Sequence, residues 1–168
     1  MDSAGPDWRI LALPITAPDA AQLVEEVQAE YVERYGGRDE TPLSEGHFDS
    51  PAGAFFVGYR GDEPVATGAW HRRTDVEAFG CTATAEIKRM FVRRSARGRG
   101  LARAMLAHLE DTARAAGAEV MILETGTEQP EALALYASAG YTAIPGFGYY
   151  RDSPLNRCLA KPLATPVN

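Results

Sequence analysis

Hydrophobic and polar positions along the chain follow two periodicities. Short apolar or alternating runs are typical of β-strands, in which successive side chains point to opposite faces. Such runs predict strands over residues 8–13, 54–59, 64–71, 85–92, 120–124, 141–144 and 156–161. Hydrophobic residues three or four positions apart predict helices over residues 19–35, 101–116 and 129–139. The predicted order is therefore β-α-β-β-β-α-β-α-β-β, a layered α/β arrangement.

The residue types predict where the first helix begins and ends. Asp19 is expected to cap it, because a carboxylate can accept a hydrogen bond from a free N–H of the first turn. Gly36 and Gly37 are expected to end it. Residues 38–52 are predicted to form a loop or a short extra helix. The second long helix is expected to bury Leu101, Met105, Leu109 and Ala113.

Length and composition indicate a single domain over residues 1–168, with a loose tail after about residue 163. Hydrophobic residues make up 45% of the chain, which argues against disorder of the whole. No apolar run approaches the ~20 residues of a membrane span, and no secretory signal is present. We therefore expect a cytoplasmic protein without a membrane partner. The net charge of −6 argues against nucleic acid as a partner.

The segment 93–100, between a predicted strand and a predicted helix, has the make-up of a phosphate-binding loop. Gly98 and Gly100 allow the backbone to approach a ligand closely, and the helix beginning near Leu101 directs free N–H groups at the same point. Three arginines add positive charge there: Arg94, Arg97 and Arg99. The alternative is a tight strand-to-helix turn with no ligand.

Two common nucleotide motifs are excluded by spacing. No run of Gly, four residues and Gly-Lys-Ser/Thr occurs, so the loop is not a mononucleotide P-loop. The dinucleotide fingerprint requires a third glycine where this chain has Arg103.

The serine hydrolase elbow, Gly-x-Ser-x-Gly, is also missing from the sequence. His47 and His71 have no partners at metal-ligand spacing, so no metal is expected.

The run Arg97-Gly98-Arg99-Gly100-Leu101-Ala102 resembles the acyl-CoA loop of the GNAT superfamily of N-acyltransferases. That loop has Gln or Arg, two residues, Gly, one residue, then Gly or Ala, and this chain matches it with Arg97, Gly100 and Ala102. The run from Gln129 to Tyr141 resembles the family's penultimate helix, although the family commonly has Asn at the position of Gln129. Weaker resemblance extends from about residue 52 to residue 163.

The resemblance implies a fold and a cosubstrate. The fold is a mixed, mostly antiparallel sheet of about six to seven strands with helices on both faces. The cosubstrate is acetyl-CoA, without a metal. Its expected contacts are Met90, Phe91, Val92, Arg97, Gly98, Arg99, Gly100, Leu101, Ala102 and Gln129.

Three residues are candidates for the proton transfers of an acyl transfer to an amine. An alkyl ammonium must lose a proton before it attacks, and Glu86, early on the strand before the loop, is the first candidate for general base. Glu124 is the second. The resemblance places Tyr136 as general acid for the leaving thiolate. The structural alternatives are an ion pair for Glu86, a turn hydrogen bond for Glu124 and a core position for Tyr136.

These observations predict an acetyl-CoA-dependent N-acetyltransferase that acts on the primary amine of a small molecule by direct transfer in a ternary complex. Two alternatives remain open: a non-catalytic acyl-CoA-binding or sensing module, and an enzyme acting on a protein amine. The presence of both Glu86 and Tyr136 favours an enzyme, because a sensor needs no acid–base pair. The acceptor amine is not predicted, and a homodimer is possible.

Overall fold

The computed structural model describes residues 7–38, 45–148 and 150–163. The strands and helices follow the predicted order. The strands are β1 (Trp8–Ala12), β2 (Gly53–Arg60), β3 (Glu63–Arg72), β4 (Thr84–Val92), β5 (Val120–Gly126), β6 (Thr142–Ala143) and β7 (Asn156–Pro162). The helices are α1 (Pro18–Tyr35), α2 (Leu101–Ala115) and α3 (Pro130–Ser138), with 3₁₀ turns at Glu45–Phe48 and Arg94–Ala96.

The strands form one seven-stranded sheet in the order β1-β2-β3-β4-β5-β7-β6. Every neighbouring pair is antiparallel except β4 and β5, which are parallel. This parallel pair is short, because it extends only from Thr84↔Val120 to Glu86↔Ile122. The predicted mixed, mostly antiparallel sheet is confirmed.

Helices cover both faces of the sheet. On one face, Leu23 and Val27 of α1 pack against Phe55 and Val57 of β2. On the opposite face, α2 buries the predicted stripe Leu101, Met105, Leu109 and Ala113, together with Leu106. Tyr136 of α3 joins the same cluster as α2. Burial of these apolar side chains supplies the main driving force for docking the helices on the sheet.

The beginning of α1 differs from the prediction that Asp19 caps it. The N-cap position is Ala17, and Pro18 occupies the first turn, where its fixed φ and missing N–H are tolerated. Asp19 lies inside the helix and its Oδ2 accepts a hydrogen bond from the Tyr59 hydroxyl at 2.6 Å. Gly36 ends the helix as predicted, with a φ of 77°.

Two further predictions concern segments that are only partly described. In the segment 38–52, the structure has one short 3₁₀ turn, at Glu45–Phe48, and residues 39–44 lie outside the described residues. The predicted loose tail after residue 163 also lies outside the described residues.

Candidate active site

Strands β4 and β5 separate beyond Glu86 and leave a cleft inside the sheet. Along these two described strands, no residue after Glu86 pairs with β5. The register between β3 and β4 shifts between Thr67 and Ala69, and Arg89, opposite this shift, has a φ of 56°. The Thr67 hydroxyl donates to the Arg89 carbonyl at 2.6 Å. The irregularity therefore bends β4 where Met90, Phe91 and Val92 border the cleft.

The loop after β4 has an open and positively polarised end. Gly98 and Gly100 have φ angles of 82° and 77°, a left-handed conformation that glycine adopts without steric cost. A Cβ at Gly98 would meet nothing within 4 Å, so the loop is open on that side. No side chain caps the N-terminus of α2. Leu101 is buried and Ala102 partly buried, which fixes this helix end to the core.

The loop arginines are held by the acidic face of α1. Arg97 donates from Nε to the Val92 carbonyl at 2.8 Å, and its Nη2 pairs with Glu30. Arg94 pairs with Glu33 at 3.1 Å. Arg99 is exposed at the open side of the loop. The arginine charge that the sequence places around the loop is therefore partly neutralised by α1, and the backbone N–H groups and Arg99 remain for an anion.

A pocket of about 380 Å³ lies where the C-terminal end of α1 meets the cleft. Its walls come from α1, β4, the end of β5, the start of α3 and the loop before β7. The lining residues include Tyr31, Tyr35, Arg38, Lys88, Glu124, Gln129, Tyr150, Leu155 and Asn156. The volume is in the range of small-molecule sites.

Glu124 presents a half-buried carboxylate to this pocket. Its Oε2 accepts a hydrogen bond from Asn156 Nδ2 at 3.1 Å, and the backbone N–H of Tyr150 also donates to it. Burial raises the pKa of Glu124, and the nearby Glu86 charge adds to this rise, whereas Lys88 opposes it. Across the described residues, Glu124 forms no ion pair with Lys, Arg or His.

The carboxylate of Glu124 also depends on a glycine opposite it. A Cβ built on Gly148 would lie 2.1 Å from Oε1 of Glu124. Any side chain at position 148 would thus displace the carboxylate. Asn156 and Gly148 belong to the loop before β7, for which the sequence carries no recognisable motif.

Glu86 lies on the same face of the sheet as Glu124 but in a different environment. Only 1% of it is exposed, and its oxygens lie 2.6 Å from Arg73 Nη1, 3.2 Å from His71 Nε2 and 3.3 Å from Lys88 Nζ. Burial alone would raise the pKa of Glu86, but the contact with His71 and the charges of Lys88 and Arg73 outweigh it and lower the pKa. Glu86 is thus the centre of a buried ion cluster.

His71 extends this cluster towards the surface. Its ring stacks on His47 with the centroids 4.9 Å apart and the planes at 7°. Burial lowers the pKa of His47, and the neighbouring His71 and Arg73 lower it further. Sequence reasoning missed His71 and Arg73 as partners of Glu86. The signal was the antiparallel pairing of the two predicted strands, which places His71 directly opposite Glu86.

Gln129 lines the pocket, whereas Tyr136 lies in the buried core beside α2 and is not among the described lining residues. Tyr136 is buried, its ring lies 5.5 Å from that of Tyr141, and burial together with nearby Tyr31 raises the pKa of its phenol above the usual range. Gln129 occupies the N-cap position of α3 but makes no capping hydrogen bond. Its Nε2 instead donates to the Tyr35 hydroxyl at 3.4 Å.

A metal site and a membrane-spanning helix are both missing from the part of the chain that the structure describes. That part contains no cluster of three or more His, Cys, Asp or Glu side chains able to hold a metal ion. It also contains no helix that is long and apolar enough to cross a membrane.

Comparison with known proteins agrees with this architecture. An IAA acetyltransferase of Azospirillum brasilense is 35% identical over 142 residues, which are 84% of this chain and 89% of that protein. A structure from Klebsiella pneumoniae, provisionally assigned as an acyl-CoA N-acyltransferase, has a TM-score of 0.77 and 26% sequence identity to this chain. The match covers 96% of this chain and 100% of that one.

A third relative supports the fold alone. A Salmonella typhimurium protein, provisionally assigned as an acetyltransferase and solved with its cofactor acetyl-CoA, has a TM-score of 0.68 at 17% identity, and the match covers 96% of this chain and 97% of that one. The family model described as "Acetyltransferase (GNAT) family" matches residues 20–141. The splayed parallel strands, the glycine loop and these matches together show that the chain belongs to the GNAT acetyltransferase family and is an acetyl-CoA-dependent N-acyltransferase.

Proposed function

We propose that this enzyme transfers an acetyl group from acetyl-CoA directly to the primary amine of a small molecule. The observation that carries the proposal is the pocket beside the β4–β5 cleft. Glu124 presents its carboxylate to this pocket and forms no ion pair with any described residue. An acceptor ammonium entering this pocket would be attracted to that carboxylate. The pocket would hold it next to the cleft, and such proximity lowers the barrier to transfer.

The residues around the cleft fit acetyl-CoA, which supplies the acetyl group as a thioester. The open loop at Gly98, the uncapped N-terminus of α2 and exposed Arg99 suit a pyrophosphate. The backbone of Met90, Phe91 and Val92, which β5 leaves unpaired, offers hydrogen-bonding groups to the amide-containing arm. Gln129 lines the pocket near the same arm.

The contacts favour Glu124 over Glu86 as the general base. A base must accept a proton, and a carboxylate becomes a better acceptor as its pKa rises. Glu124 has a raised pKa and faces the pocket. Glu86 has a lowered pKa and its oxygens already lie against Arg73, His71 and Lys88. The role of Glu86 as base stays a prediction, and we infer instead that it orders Lys88 in the pocket wall.

Tyr136 is our proposed general acid. Its phenol is protonated at neutral pH, because even an unperturbed phenol has a pKa of about 10. Burial raises its pKa, and so does Tyr31, which lines the pocket. Donation of the phenolic proton from Tyr136 Oη to the leaving sulfur would complete the transfer.

The state of Cys158 supports direct transfer rather than transfer through an acyl-enzyme. Burial raises the pKa of its thiol, so the nucleophilic thiolate is scarce near neutral pH. Its Sγ lies 3.9 Å from Glu124 Oε2, and the negative charge there disfavours the thiolate further.

A panel of primary amines, assayed with acetyl-CoA by release of free thiol and by mass of the product, tests the function. We expect acetylated amine in proportion to released thiol. Tight acetyl-CoA binding without transfer to any small amine would favour the sensing module, and transfer only to polypeptides would favour a protein acceptor.

A matched pair of variants tests the cosubstrate site. Gly98→Asp places a negative side chain at the open loop, and we expect calorimetry to show a CoA affinity at least about tenfold lower. Gly61→Asp is the control, because Gly61 has a φ of 60° and equally open surroundings at the β2–β3 turn. Equal CoA affinity in the two folded variants would contradict the placement.

A further inference from the structure

We propose that the acceptor is a primary amine with an aromatic or apolar body and no carboxylate, so that free amino acids are poor substrates. This inference rests on the proposed function and deepens it. Three features of the pocket support it. The cations in its wall already form ion pairs with carboxylates of the protein, the Glu124 carboxylate forms no ion pair with a described residue, and aromatic rings line the rest of the wall.

The cations that line the pocket are occupied by carboxylates of the protein. Arg38 donates from Nη1 and Nη2 to the two oxygens of Glu25 at 2.9 and 3.0 Å. Lys88 Nζ lies 3.3 Å from Glu86 Oε2, and its side chain is 12% exposed. A substrate carboxylate would have to compete with both ion pairs. The competition is strong at the buried Lys88–Glu86 pair and weak at the Arg38–Glu25 pair, whose side chains are 54% and 67% exposed.

Arg73, the next cation behind Lys88, is bound even more completely. Its Nη1 contacts Glu86 Oε1 at 2.6 Å, whereas its Nε and Nη2 both contact the Asp75 carboxylate at 2.9 Å. The inner wall therefore has no unpaired positive group among the described residues to receive an anion.

Glu124 leaves the pocket with an excess of negative charge. Its hydrogen-bond donors among the described residues are neutral: Asn156 Nδ2, the Tyr150 backbone N–H and, at 3.9 Å, Cys158 Sγ. An ammonium would complete this site with a charge-assisted hydrogen bond, whereas a carboxylate on the same substrate would be repelled and left without a partner.

The remaining wall suits an aromatic or apolar body. Tyr31, Tyr35 and Tyr150 line the pocket, and the Tyr31 and Tyr35 rings meet edge to face at 6.2 Å. Leu155, 47% exposed, forms part of the lip. Aromatic rings bind other rings and also stabilise cations over their faces. The pocket thus offers ring contacts to the body and one carboxylate to the amine.

Pairs of substrates that differ only in a carboxylate test the inference. Phenethylamine is compared with phenylalanine, and tryptamine with tryptophan, by mass-detected acetylation with acetyl-CoA. We expect kcat/KM at least about tenfold higher for each decarboxylated member. Equal or faster acetylation of the amino acids would overturn the inference and leave the proposed function intact. Transfer to none of the four, with acetylation of other small amines in the panel, would overturn the inference alone. Transfer to polypeptides alone would overturn both.

A charge added at the lip provides a second test. Leu155→Arg adds a positive charge at the lip of the pocket, which would attract a substrate carboxylate. The kcat/KM preference for phenethylamine over phenylalanine should therefore shrink by at least about threefold. Leu11→Arg, at an exposed position on the edge strand β1, is the control and should keep the wild-type ratio. A ratio that stays at the wild-type value in Leu155→Arg would show that charge does not set the selectivity and would overturn the inference.

Discussion

Two carboxylates on neighbouring strands, Glu86 on β4 and Glu124 on β5, face the same side of the sheet and differ in almost every other respect. Glu86 is 1% exposed and is surrounded by Arg73, His71 and Lys88, and its pKa is lowered. Glu124 faces a pocket, accepts hydrogen bonds from neutral donors, and its pKa is raised.

Burial alone therefore does not decide the protonation of a carboxylate. Both groups lose solvent, which disfavours the charged form. Nearby cations reverse the effect at Glu86 but not at Glu124. The two residues are therefore expected to contribute to different properties, Glu86 to the free energy of unfolding and Glu124 to proton transfer.

The largest effect is expected from Glu124→Gln. The amide keeps the shape but cannot accept the proton, so kcat should fall by about 10² to 10⁴ with little change in melting temperature. In the wild type, activity should rise with pH as Glu124 ionises and then level off, and the variant should lose this rise. Glu119→Gln, just before the other end of β5, is the control. Full activity of Glu124→Gln would transfer the role to Glu86 or to solvent.

Glu86→Gln should affect stability more than turnover. It leaves Arg73 and Lys88 without their buried counter-charge, a loss that typically costs about 3–5 kcal/mol. Because the folded pKa is lowered, the stabilisation is fully present above the unfolded value of about 4.3 and is lost as the pH falls through the folded pKa. Chemical denaturation at pH 7 and at acidic pH measures this. A stable variant with lost turnover would restore Glu86 as the base.

Tyr136→Phe extends the comparison to the acid. We expect kcat to fall at least about tenfold with the melting temperature nearly unchanged. Tyr141→Phe is the contrasting variant, because the Tyr141 hydroxyl donates to Glu110 at 2.7 Å and its loss should cost about 1 kcal/mol of stability while turnover is kept. Kinetics and thermal denaturation of both variants distinguish the roles. The same pattern in both would make Tyr136 a core residue only.

The smallest effect is expected from Gly148→Ala. The added methyl group would push the Glu124 carboxylate aside. Because the end of the Glu124 side chain can rotate away, we expect little loss of stability. The displaced carboxylate should lower kcat by about threefold to tenfold. Gly46→Ala, where a Cβ meets nothing within 4 Å, is the control. Unchanged turnover in Gly148→Ala would show that the position of Glu124 is not critical.

The sequence predicts the elements and the cosubstrate loop because both depend on local patterns. Strand and helix periodicity is repeated within each segment, and the loop between β4 and α2 is continuous in sequence. The predicted N-cap of α1 was wrong because Pro18 fixes the first turn, so the N-cap is Ala17, two residues before Asp19. Local propensity there competes with a tertiary hydrogen bond to Tyr59.

The surroundings of the two carboxylates depend on distant residues. His71 meets Glu86 only through the register of β3 and β4, which a shift near Thr67 changes by one residue. Gly148 and Asn156 reach Glu124 from a loop without regular structure. Periodicity contains no information on such contacts, so the sequence identifies Glu86 and Glu124 as candidates without distinguishing their roles.

The short β4–β5 pairing also links the binding of acetyl-CoA to the protein's resistance to unfolding and proteolysis. Three residue pairs join the four strands on one side of the sheet to the three on the other. A ligand that binds only the folded protein stabilises it by about 2.7 kcal/mol at a hundred times its Kd. Acetyl-CoA lying along this cleft would act as a removable strand, so the enzyme would unfold and be proteolysed more slowly when its cosubstrate is abundant.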